Sequence, residues 1–280
     1  MKTFDNAVAA ITGAGSGIGR ALASDLAARG CDLALADVDE EALAQTRTAL
    51  PPSRRVTLSR VDVANLTDMT RFRDEVERDF GRLSVLVNNA GVALYGSFET
   101  LSLANLEWIM GINFWGAVYG TQLFLPMLVR EPAANIVTIS SLFGIVAPPM
   151  QVGYSASKFA VRGFSEALRH ELAPTTVRVT VVHPGGVATN IAKRSRRGEG
   201  ADERRFTKDI KKFDAALRLS PAKAAASIAD AILRDRPRLM IGNDARFIDA
   251  VVRAFPAQYM KFLQPIFDPS KRFVAPKSID

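Results

Sequence analysis

The chain has 280 residues, of which 48% are apolar and 23% charged, a composition that excludes disordered and fibrous proteins. Its net charge is +7, but residues 1–192 hold 16 Lys and Arg against 18 Asp and Glu, whereas residues 193–280 hold 20 against 11. A basic excess confined to the last third argues against a nucleic-acid-binding protein. One cysteine and two histidines exclude a disulfide framework and a His/Cys metal cluster, so we expect no metal.

The N-terminal residues lack the long apolar run behind a basic start that marks a secretory signal. No apolar stretch approaches the roughly 18 residues of a membrane-spanning helix. We therefore expect a cytoplasmic protein.

Short apolar runs alternate with longer amphipathic segments along the chain. The predicted strands are residues 7–12, 32–36, 56–61, 85–88, 135–140, 177–182 and 238–242. The predicted helices are residues 18–28, 40–50, 67–80, 103–129, 154–172 and 221–234. This alternation indicates repeated βαβ units, which build an α/β protein with a doubly wound parallel sheet, the Rossmann fold.

Two segments near the C-terminus stand outside this alternation. Residues 193–212 hold nine Lys and Arg against four Asp and Glu, and they interrupt the pattern as an inserted loop or short helix. Residues 247–267 have apolar side chains at helical spacing, interrupted by Pro256 and Pro265. We expect a single domain over residues 1–245 and a helical, amphipathic extension over 246–280.

A glycine-rich segment, TGAGSGIG at residues 12–19, lies between the first predicted strand and the first predicted helix. Glycines there allow a tight turn and let backbone N–H groups approach a pyrophosphate at the helix N-terminus. The strand–turn–helix context favours this function over an ordinary surface turn. The segment therefore predicts a dinucleotide site.

Two aspartates follow the second and third strands. Asp37 comes 18 residues after Gly19, where a carboxylate accepts hydrogen bonds from an adenosine ribose and repels a 2′-phosphate. Val38 follows it in place of an arginine, so both positions favour NAD(H) over NADP(H). The alternative role for Asp37 is to cap a helix. For Asp62 we expect a contact with the adenine, and helix capping is a nearly equal alternative.

A tyrosine, a lysine and two serines form the candidate reaction centre. Tyr154 and Lys158 lie four residues apart near the start of a helix and so share one face. An ammonium beside a phenol lowers the phenol pKa, which suits proton transfer near neutral pH. Ser140 and Ser141 end the preceding strand, at the edge of the sheet where ligands bind.

Six motifs in order make the chain resemble the short-chain dehydrogenase/reductases, in their shorter, single-domain branch, over roughly residues 5–245. The matching features are TGxxxGxG at 12–19, NNAG at 88–91, Asn113, Ser141 placed 13 residues before Tyr154, YxASK at 154–158 and PGxVxT at 184–189. The family spacing selects Ser141 over Ser140. Residues of about 190–215 correspond to the family's substrate loop.

The resemblance implies a role for each matched position. Tyr154 is the implied general acid/base, Ser141 orients the substrate oxygen, and Asn113 joins a water-linked proton relay to Lys158. The residues implied to bind the dinucleotide are Gly13, Ser16, Gly17, Ile18, Gly19, Asp37, Asp62, Val63, Asn89, Ala90, Gly91, Tyr154, Lys158, Pro184, Gly185, Val187 and Thr189. We interpret His183 as a hydrogen-bonded strand-end residue and Cys31 as a core residue.

These features predict an NAD(P)-dependent oxidoreductase that interconverts an alcohol and a ketone or aldehyde. The apolar residues expected near its pocket, which favour an apolar small-molecule substrate, are Leu94, Phe98, Phe143, Val146, Pro148, Pro149 and Met150. Two alternatives are an epimerase or dehydratase that retains its NAD, and a non-catalytic dinucleotide sensor. We also expect a homodimer or homotetramer.

Two parts of the chain keep open alternatives. The basic segment is expected to be a solvated lid; attraction of an anionic substrate tail or of an anionic membrane surface is the less favoured alternative. The apolar face of residues 247–267 is expected to pack in an oligomer, while covering the substrate pocket and touching a membrane are the alternatives.

Overall fold

The computed structural model describes residues 1–267, apart from the side chain of Pro265. The strands are β1 (Val8–Thr12), β2 (Asp32–Asp37), β3 (Val56–Arg60), β4 (Val85–Asn88), β5 (Leu94–Tyr95), β6 (Ala134–Ile139), β7 (Val177–Pro184), β8 (Arg196–Arg197) and β9 (Arg238–Ile241). The helices are α1 (Gly17–Ala28), α2 (Glu40–Thr48), α3 (Leu66–Phe80), α4 (Leu103–Met110), α5 (Gly116–Leu128), α6 (Val152–Glu171), α7 (Glu203–Ala216), α8 (Pro221–Leu233), α9 (Asn243–Ala254) and α10 (Tyr259–Phe267). The predicted α/β alternation is confirmed.

Within the described residues, seven strands form one parallel sheet in the order β3-β2-β1-β4-β6-β7-β9. Val8 of β1 pairs with Asp32 of β2, and Ala9 pairs with Val85 of β4 on the other side. The strand order therefore reverses between β1 and β4, which opens a crevice at the carboxyl ends of these strands. The predicted Rossmann fold is confirmed, and its crevice is where the candidate residues converge.

Helices cover both faces of the sheet, which explains why most of its strands are apolar along their whole length. On one face α1 packs over β1 and β2 and α8 packs over β7 and β9, with Leu22, Leu26 and Ile228 fully buried. On the other face α3 and α5 pack through Phe72 and Phe124, whose rings meet edge to face at 5.5 Å. These two layers hold the crevice between rigid elements.

Local capping explains where several helices begin and end. The Asp39 carboxylate accepts from the Ala42 N–H at 3.0 Å, and the Asn65 side chain accepts from two N–H groups at the start of α3. Ser220 caps α8, and Pro221 at the first helical position suits that start. Gly81, with φ of +68°, ends α3 in the left-handed conformation.

The predicted helix over residues 103–129 is helical without a break from Leu103 to Leu128, but it is not a regular α-helix throughout. It is divided into α4, a π-helical turn at Gly111–Trp115, and α5. The apolar side chains continue through the wide turn, so periodicity alone does not show the division. The turn carries Asn113, whose side-chain bonds to Val92 and Ser157 belong to the site.

The C-terminal part also differs from the sequence interpretation. The basic segment contains β8, which pairs in parallel with β5, and then helix α7. Pro256 separates α9 from α10, but α10 continues past position 265. Residues 268–280 of the predicted extension lie outside the described residues. None of the described helices combines the length and apolarity needed to cross a membrane.

Candidate active site

The turn after β1 leaves no room for a side chain at Gly13 or at Gly19. Gly13 has φ of +66°, and a Cβ there would lie 2.8 Å from the Ala90 Cα. A Cβ at Gly19 would overlap the Gly13 carbonyl oxygen. The Asn89 side chain braces the turn by donating to the Thr12 and Gly13 carbonyls at 2.9 and 3.0 Å. The residues present therefore form the close backbone cradle that a pyrophosphate requires.

Other predicted residues of this turn lie at the start of α1. Ser16 is the N-cap residue in extended conformation, but its side chain makes no capping hydrogen bond. Ile18 packs partly buried against the core. A Cβ at Gly17 would lie 3.1 Å from Thr189, so the loop after β7 meets the glycine turn across the crevice.

Asp37, at the end of β2, is tied to the same turn. One carboxylate oxygen accepts from the Gly15 N–H at 2.8 Å, and the other accepts from the Asp39 N–H at 3.1 Å. Its negative charge is thus held beside the glycine turn. The helix cap of α2 is Asp39, so the capping alternative for Asp37 is wrong.

Asp62 and Val63 lie at the end of β3 in a different setting. The exposed Asp62 carboxylate accepts from the Ala64 N–H at 3.0 Å, which is a local turn bond. A Cβ at Gly116 would lie 2.8 Å from the buried Val63 side chain. Val63 therefore packs against the start of α5.

Tyr154 and Lys158 lie on one face of α6 and are buried, with 8% and 3% exposure. The Lys158 ammonium donates to the Ile139 carbonyl oxygen at 3.0 Å and lies 5.8 Å from the centre of the Tyr154 ring. A Cβ at Gly91 would lie 3.2 Å from both the Lys158 Nζ and the Asn113 Oδ1. The structure therefore brings these groups together at the carboxyl ends of β4 and β6.

Asn113 ties the connection after β4 to helix α6. Its Oδ1 accepts from the Val92 N–H at 2.8 Å, and its Nδ2 donates to the Val92 carbonyl and the Ser157 hydroxyl at 3.0 and 2.9 Å. The side chain is buried. Its hydrogen-bond partners among the described residues, Val92 and Ser157, are the chain neighbours of Gly91 and Lys158.

Burial is the main cause of the pKa shifts of Tyr154 and Lys158. Desolvation raises the pKa of Tyr154, while a hydrogen bond to the Ser141 side chain acts in the opposite direction. Burial also lowers the pKa of Lys158 to about 8. The net shift of the Tyr154 pKa is therefore upward, opposite to the lowering expected from Lys158, because desolvation of the phenol outweighs the hydrogen bond to Ser141.

The two serines at the end of β6 face different partners. The Ser140 hydroxyl is buried and donates to the Lys158 carbonyl at 2.8 Å. Ser141 is the residue whose side chain reaches Tyr154, and its hydroxyl also accepts from the Phe143 N–H at 3.1 Å. The structure therefore separates Ser141 at the reaction centre from Ser140 in the packing of α6.

A sequence profile described as short chain dehydrogenase matches residues 7–200, more than half of the chain. The chain belongs to the short chain dehydrogenase family. SadH of Mycobacterium tuberculosis, named as an oxidoreductase, is 41% identical over 267 residues, which cover 94% of this chain and 96% of SadH.

Solved structures agree with this assignment. A short chain dehydrogenase/reductase of Burkholderia phymatum, solved in complex with NAD, superposes with a TM-score of 0.84 at 31% identity, covering 98% of this chain and all of that one. An alcohol dehydrogenase of Thermococcus sibiricus, complexed with 5-hydroxy-NADP, gives a TM-score of 0.71 at 25% identity, covering 84% and 95% of the two chains.

Aromatic rings close one side of the candidate reaction centre of this dehydrogenase. Phe143 packs edge to face on Tyr154 at 5.9 Å. It also contacts Phe213 of α7 at 6.0 Å and Phe267 of α10 at 5.9 Å. Leu263 of α10 is fully buried in the same cluster. Leu263 and Phe267 of α10 thus pack into the cluster that contains Tyr154, as the pocket-covering alternative for residues 247–267 expects, while Phe255 and Phe262 stay exposed.

The apolar residues expected to line the dehydrogenase's pocket do not all lie there. Leu94, Phe143 and Val146 are buried in the cluster that contains Tyr154. Phe98, by contrast, is 71% exposed in a 3₁₀ turn, so its prediction as a pocket residue is wrong. The sequence pattern could not distinguish the buried residues from the exposed Phe98, because all of them are apolar.

Two contacts near the candidate site were not predicted from the sequence. The buried His183 donates from Nδ1 to the Ser141 carbonyl at 3.1 Å, and burial lowers its pKa to about 4. Its interpretation as a hydrogen-bonded strand-end residue is confirmed, but its partner is the residue that reaches Tyr154. Asp244 accepts from the Gly186 N–H at 2.7 Å within the PGxVxT loop. No local pattern marks either contact.

Proposed function

We propose that this dehydrogenase interconverts an alcohol and a ketone or aldehyde with an NAD(P) cofactor. The observation that carries the proposal is the convergence of Tyr154, Ser141 and Lys158 at the carboxyl end of β6, beside a glycine turn without room for side chains. The B. phymatum relative with NAD supports this cofactor class.

The dinucleotide would be held along the crevice by the residues that the motifs select. Gly13, Gly17 and Gly19 suit the pyrophosphate, and Asp37 suits the adenosine ribose. Ser16 has an uncommitted capping hydroxyl at the same helix start. When bound, the cofactor supplies hydride transfer. The residues assigned to its remaining length are Ile18, Asp62, Val63, Asn89, Ala90, Gly91, Tyr154, Lys158, Pro184, Gly185, Val187 and Thr189.

The protein's own groups handle the proton and the substrate oxygen. Tyr154 donates a proton to the carbonyl oxygen during reduction and accepts it from the alcohol during oxidation. Ser141 holds that oxygen beside the phenol. Lys158, with its pKa lowered to about 8, and Asn113 connect the phenol to solvent through water. Their burial excludes competing proton donors.

NAD(H) is the favoured cofactor because of the charge at the end of β2. A 2′-phosphate beside Asp37 would face a carboxylate that two N–H groups hold in place. The T. sibiricus relative accepts an NADP derivative, so the family uses both nucleotides. The preference therefore depends on this side chain.

The aromatic cluster favours an apolar substrate. Phe143 packs on Tyr154, and Phe213 and Phe267 pack on Phe143, so this wall offers aromatic rings rather than a charged partner for a substrate tail. In this proposal residues 1–245 supply the chemistry, the loop of about 190–215 and the extension from 246 close the pocket, and a small molecule is the partner.

The proposal includes a homodimer or homotetramer. Helix α6 exposes a stripe of apolar and small residues: Val152, Ala156, Phe159, Gly163 and Ala167. Trp115 at the start of the adjacent α5 is 47% exposed and stacks on Tyr119 at 5.8 Å. An exposed apolar surface of this kind suits a second copy of the chain.

A substrate panel tests the reaction class. Secondary alcohols, sterols and acyl-chain carbonyl compounds are offered with NAD(H) or NADP(H), and reduced-nicotinamide absorbance is followed. We expect turnover of apolar members with NAD(H). A protein that binds NADH but turns over no member would favour the alternative of a non-catalytic sensor, and turnover without net change in the nicotinamide would favour an epimerase or dehydratase.

A further inference from the structure

The loop that follows β7 forms one wall of the crevice. Its glycines, Gly185 and Gly186, come directly after the last residue of the strand, and Thr189 lies against Gly17 of the glycine turn. In the proposed function this loop serves the nicotinamide end of the cofactor. The contacts that hold the backbone of this loop therefore affect where the nicotinamide end of the cofactor binds.

The carboxylate of Asp244 is seated on three glycines. A Cβ at Gly185 would lie 2.5 Å from its Oδ1 and 2.6 Å from its Cγ, and a Cβ at Gly186 would lie 3.5 Å from its Oδ2. A Cβ at Gly242 would overlap its Oδ1, and Gly242 has φ of +100°. The absence of a side chain at Gly185 and at Gly242 therefore lets the carboxylate approach the loop so closely.

That carboxylate accepts the Gly186 N–H at 2.7 Å. Asp244 lies in the first turn of α9, where a negative charge is stabilised by the helix dipole. The Gly186 carbonyl oxygen accepts from the Arg218 and Leu219 N–H groups, both at 2.9 Å, where the chain returns from α7. The peptide groups of Gly186 are thus held from both sides, by α9 and by the end of the substrate loop.

We propose that Asp244 is a positioning residue, which holds the Gly185–Gly186 backbone in the form that accepts the nicotinamide end of the dinucleotide. This inference rests on the proposed function. It assigns to the C-terminal helix α9 a part in cofactor binding that the glycine turn and Asp37 do not share. Asp244 acts through the loop and does not itself contact the reacting atoms.

The test compares two ligands that differ only at the nicotinamide end. NADH and ADP-ribose share the adenosine and pyrophosphate, so a residue that positions the nicotinamide loop affects NADH alone. We expect Asp244→Ala to weaken NADH binding about tenfold, since a hydrogen bond to a charged acceptor is lost. ADP-ribose binding should stay within about twofold of the wild type. Dissociation constants are measured by calorimetry.

Two variants control for effects on the helix. Asp244→Asn keeps an oxygen acceptor of the same reach and should keep NADH binding within about threefold of the wild type. Arg246→Ala removes an exposed side chain from the same turn of α9 and should leave both ligands unaffected. Equal weakening of NADH and ADP-ribose in Asp244→Ala, or no weakening of either, would overturn the proposal.

A double variant tests the contact directly. A methyl group in Gly185→Ala collides with the Asp244 carboxylate, and the collision is relieved when Asp244 is also alanine. Gly185→Ala should therefore weaken NADH binding more in the wild-type background than in Asp244→Ala. Equal losses in both backgrounds would contradict the contact. A wild-type chain that binds neither ligand would instead refute the proposed function.

Discussion

Burial controls the protonation of the side chains around the proposed reaction centre. Tyr154 is shifted to a higher pKa, Lys158 to about 8 and His183 to about 4, and desolvation is the largest cause for each. Each shift favours the neutral form. The site therefore holds a neutral phenol that can donate a proton, beside a lysine that can lose its charge just above neutral pH.

Replacing Tyr154 by phenylalanine should separate proton transfer from cofactor binding. The ring remains to pack against Phe143, but the hydroxyl is removed. We expect turnover to fall by about 10²- to 10⁴-fold, the usual contribution of general acid/base catalysis. NADH fluorescence titration should give an affinity close to that of the wild type. A Phe variant with normal turnover would contradict the assigned role.

Asp37→Asn should weaken the preference for NAD(H). The amide oxygen can still accept from the Gly15 N–H, but the negative charge that repels a 2′-phosphate is gone. We expect the ratio of kcat/KM for NAD to that for NADP to fall by about tenfold or more. The ratio is measured with one substrate. If it does not change, another residue sets the preference.

His183 should make the protein less stable in mild acid. Its pKa is about 4 in the folded chain against 6.5 as a free side chain, so the unfolded chain binds the proton more readily. Stability from this group is complete above pH 6.5 and is lost as the pH falls toward 4, to a total of about 3 kcal/mol.

Urea unfolding at pH 7 and pH 4.5 measures this effect. The wild type should lose about 2–3 kcal/mol more unfolding free energy than His183→Asn between the two pH values, since the variant cannot take up this proton. The carboxylates titrate in both proteins and cancel in the comparison. Equal losses would show that His183 is not the responsible group.

At the scale of elements, the sequence pattern predicted the helices and strands whose bounds depend on interactions between residues close in sequence. Strand β4 has its predicted bounds, Val85–Asn88, because three apolar residues, Val85 to Val87, stand between the polar residues Ser84 and Asn88. The π-helical turn was not predictable, because it depends on Asn113 bonding Val92, which is distant in sequence. Strands β5 and β8 were not predicted, because each has only two residues and so shows no alternation of apolar and polar side chains.

The candidate site shows the same division. Tyr154 and Lys158 could be selected from their spacing on one helix, and Ser141 from its place at a strand end. Asp244 could not, since its contact with Gly186 joins a loop and a helix that are far apart in sequence. The pKa of Tyr154 was also mispredicted, because the depth of burial is a property of the folded chain.

Helix α10 should contribute to substrate preference through one residue. Phe267 packs on Phe143, which also packs on Tyr154, whereas Phe262 on the same helix is 52% exposed. Phe267→Ala removes apolar surface from the pocket wall and should raise KM for an apolar substrate by about tenfold. Phe262→Ala is the matched control and should not alter KM. Equal KM values for the two variants would place Phe267 outside the pocket.

At the scale of the whole molecule, the uneven charge is partly used inside the chain. Arg196 lies 3.6 Å from the centre of the Trp108 ring, and Arg205 pairs with Asp209 at 3.7 Å. Asp209 also accepts from the Tyr95 hydroxyl at 2.5 Å. Arg196 thus fastens β8 to α4, and Asp209, which Arg205 pairs within α7, fastens α7 to Tyr95; these contacts favour a lid over electrostatic steering of an anionic partner.

The assembly of the molecule can be tested at one glycine. A Cβ at Gly163 of α6 would meet no atom within 4 Å, so a larger side chain fits the single chain without disturbance. Helix propensity even favours such a change, by roughly 0.5 kcal/mol or more. A second copy packed on this stripe, by contrast, would collide with it and would bury its charge.

Gly163→Glu should therefore reduce the mass in solution to that of one chain. The variant should remain folded, which a cooperative thermal unfolding transition would show. Light scattering coupled to size-exclusion chromatography measures the mass. Phe247→Glu, which replaces a 57% exposed side chain on α9, is the control and should leave the oligomer intact. If Gly163→Glu retains the wild-type mass, the α6 stripe is not the interface. A wild-type chain that is already monomeric would refute the proposed assembly.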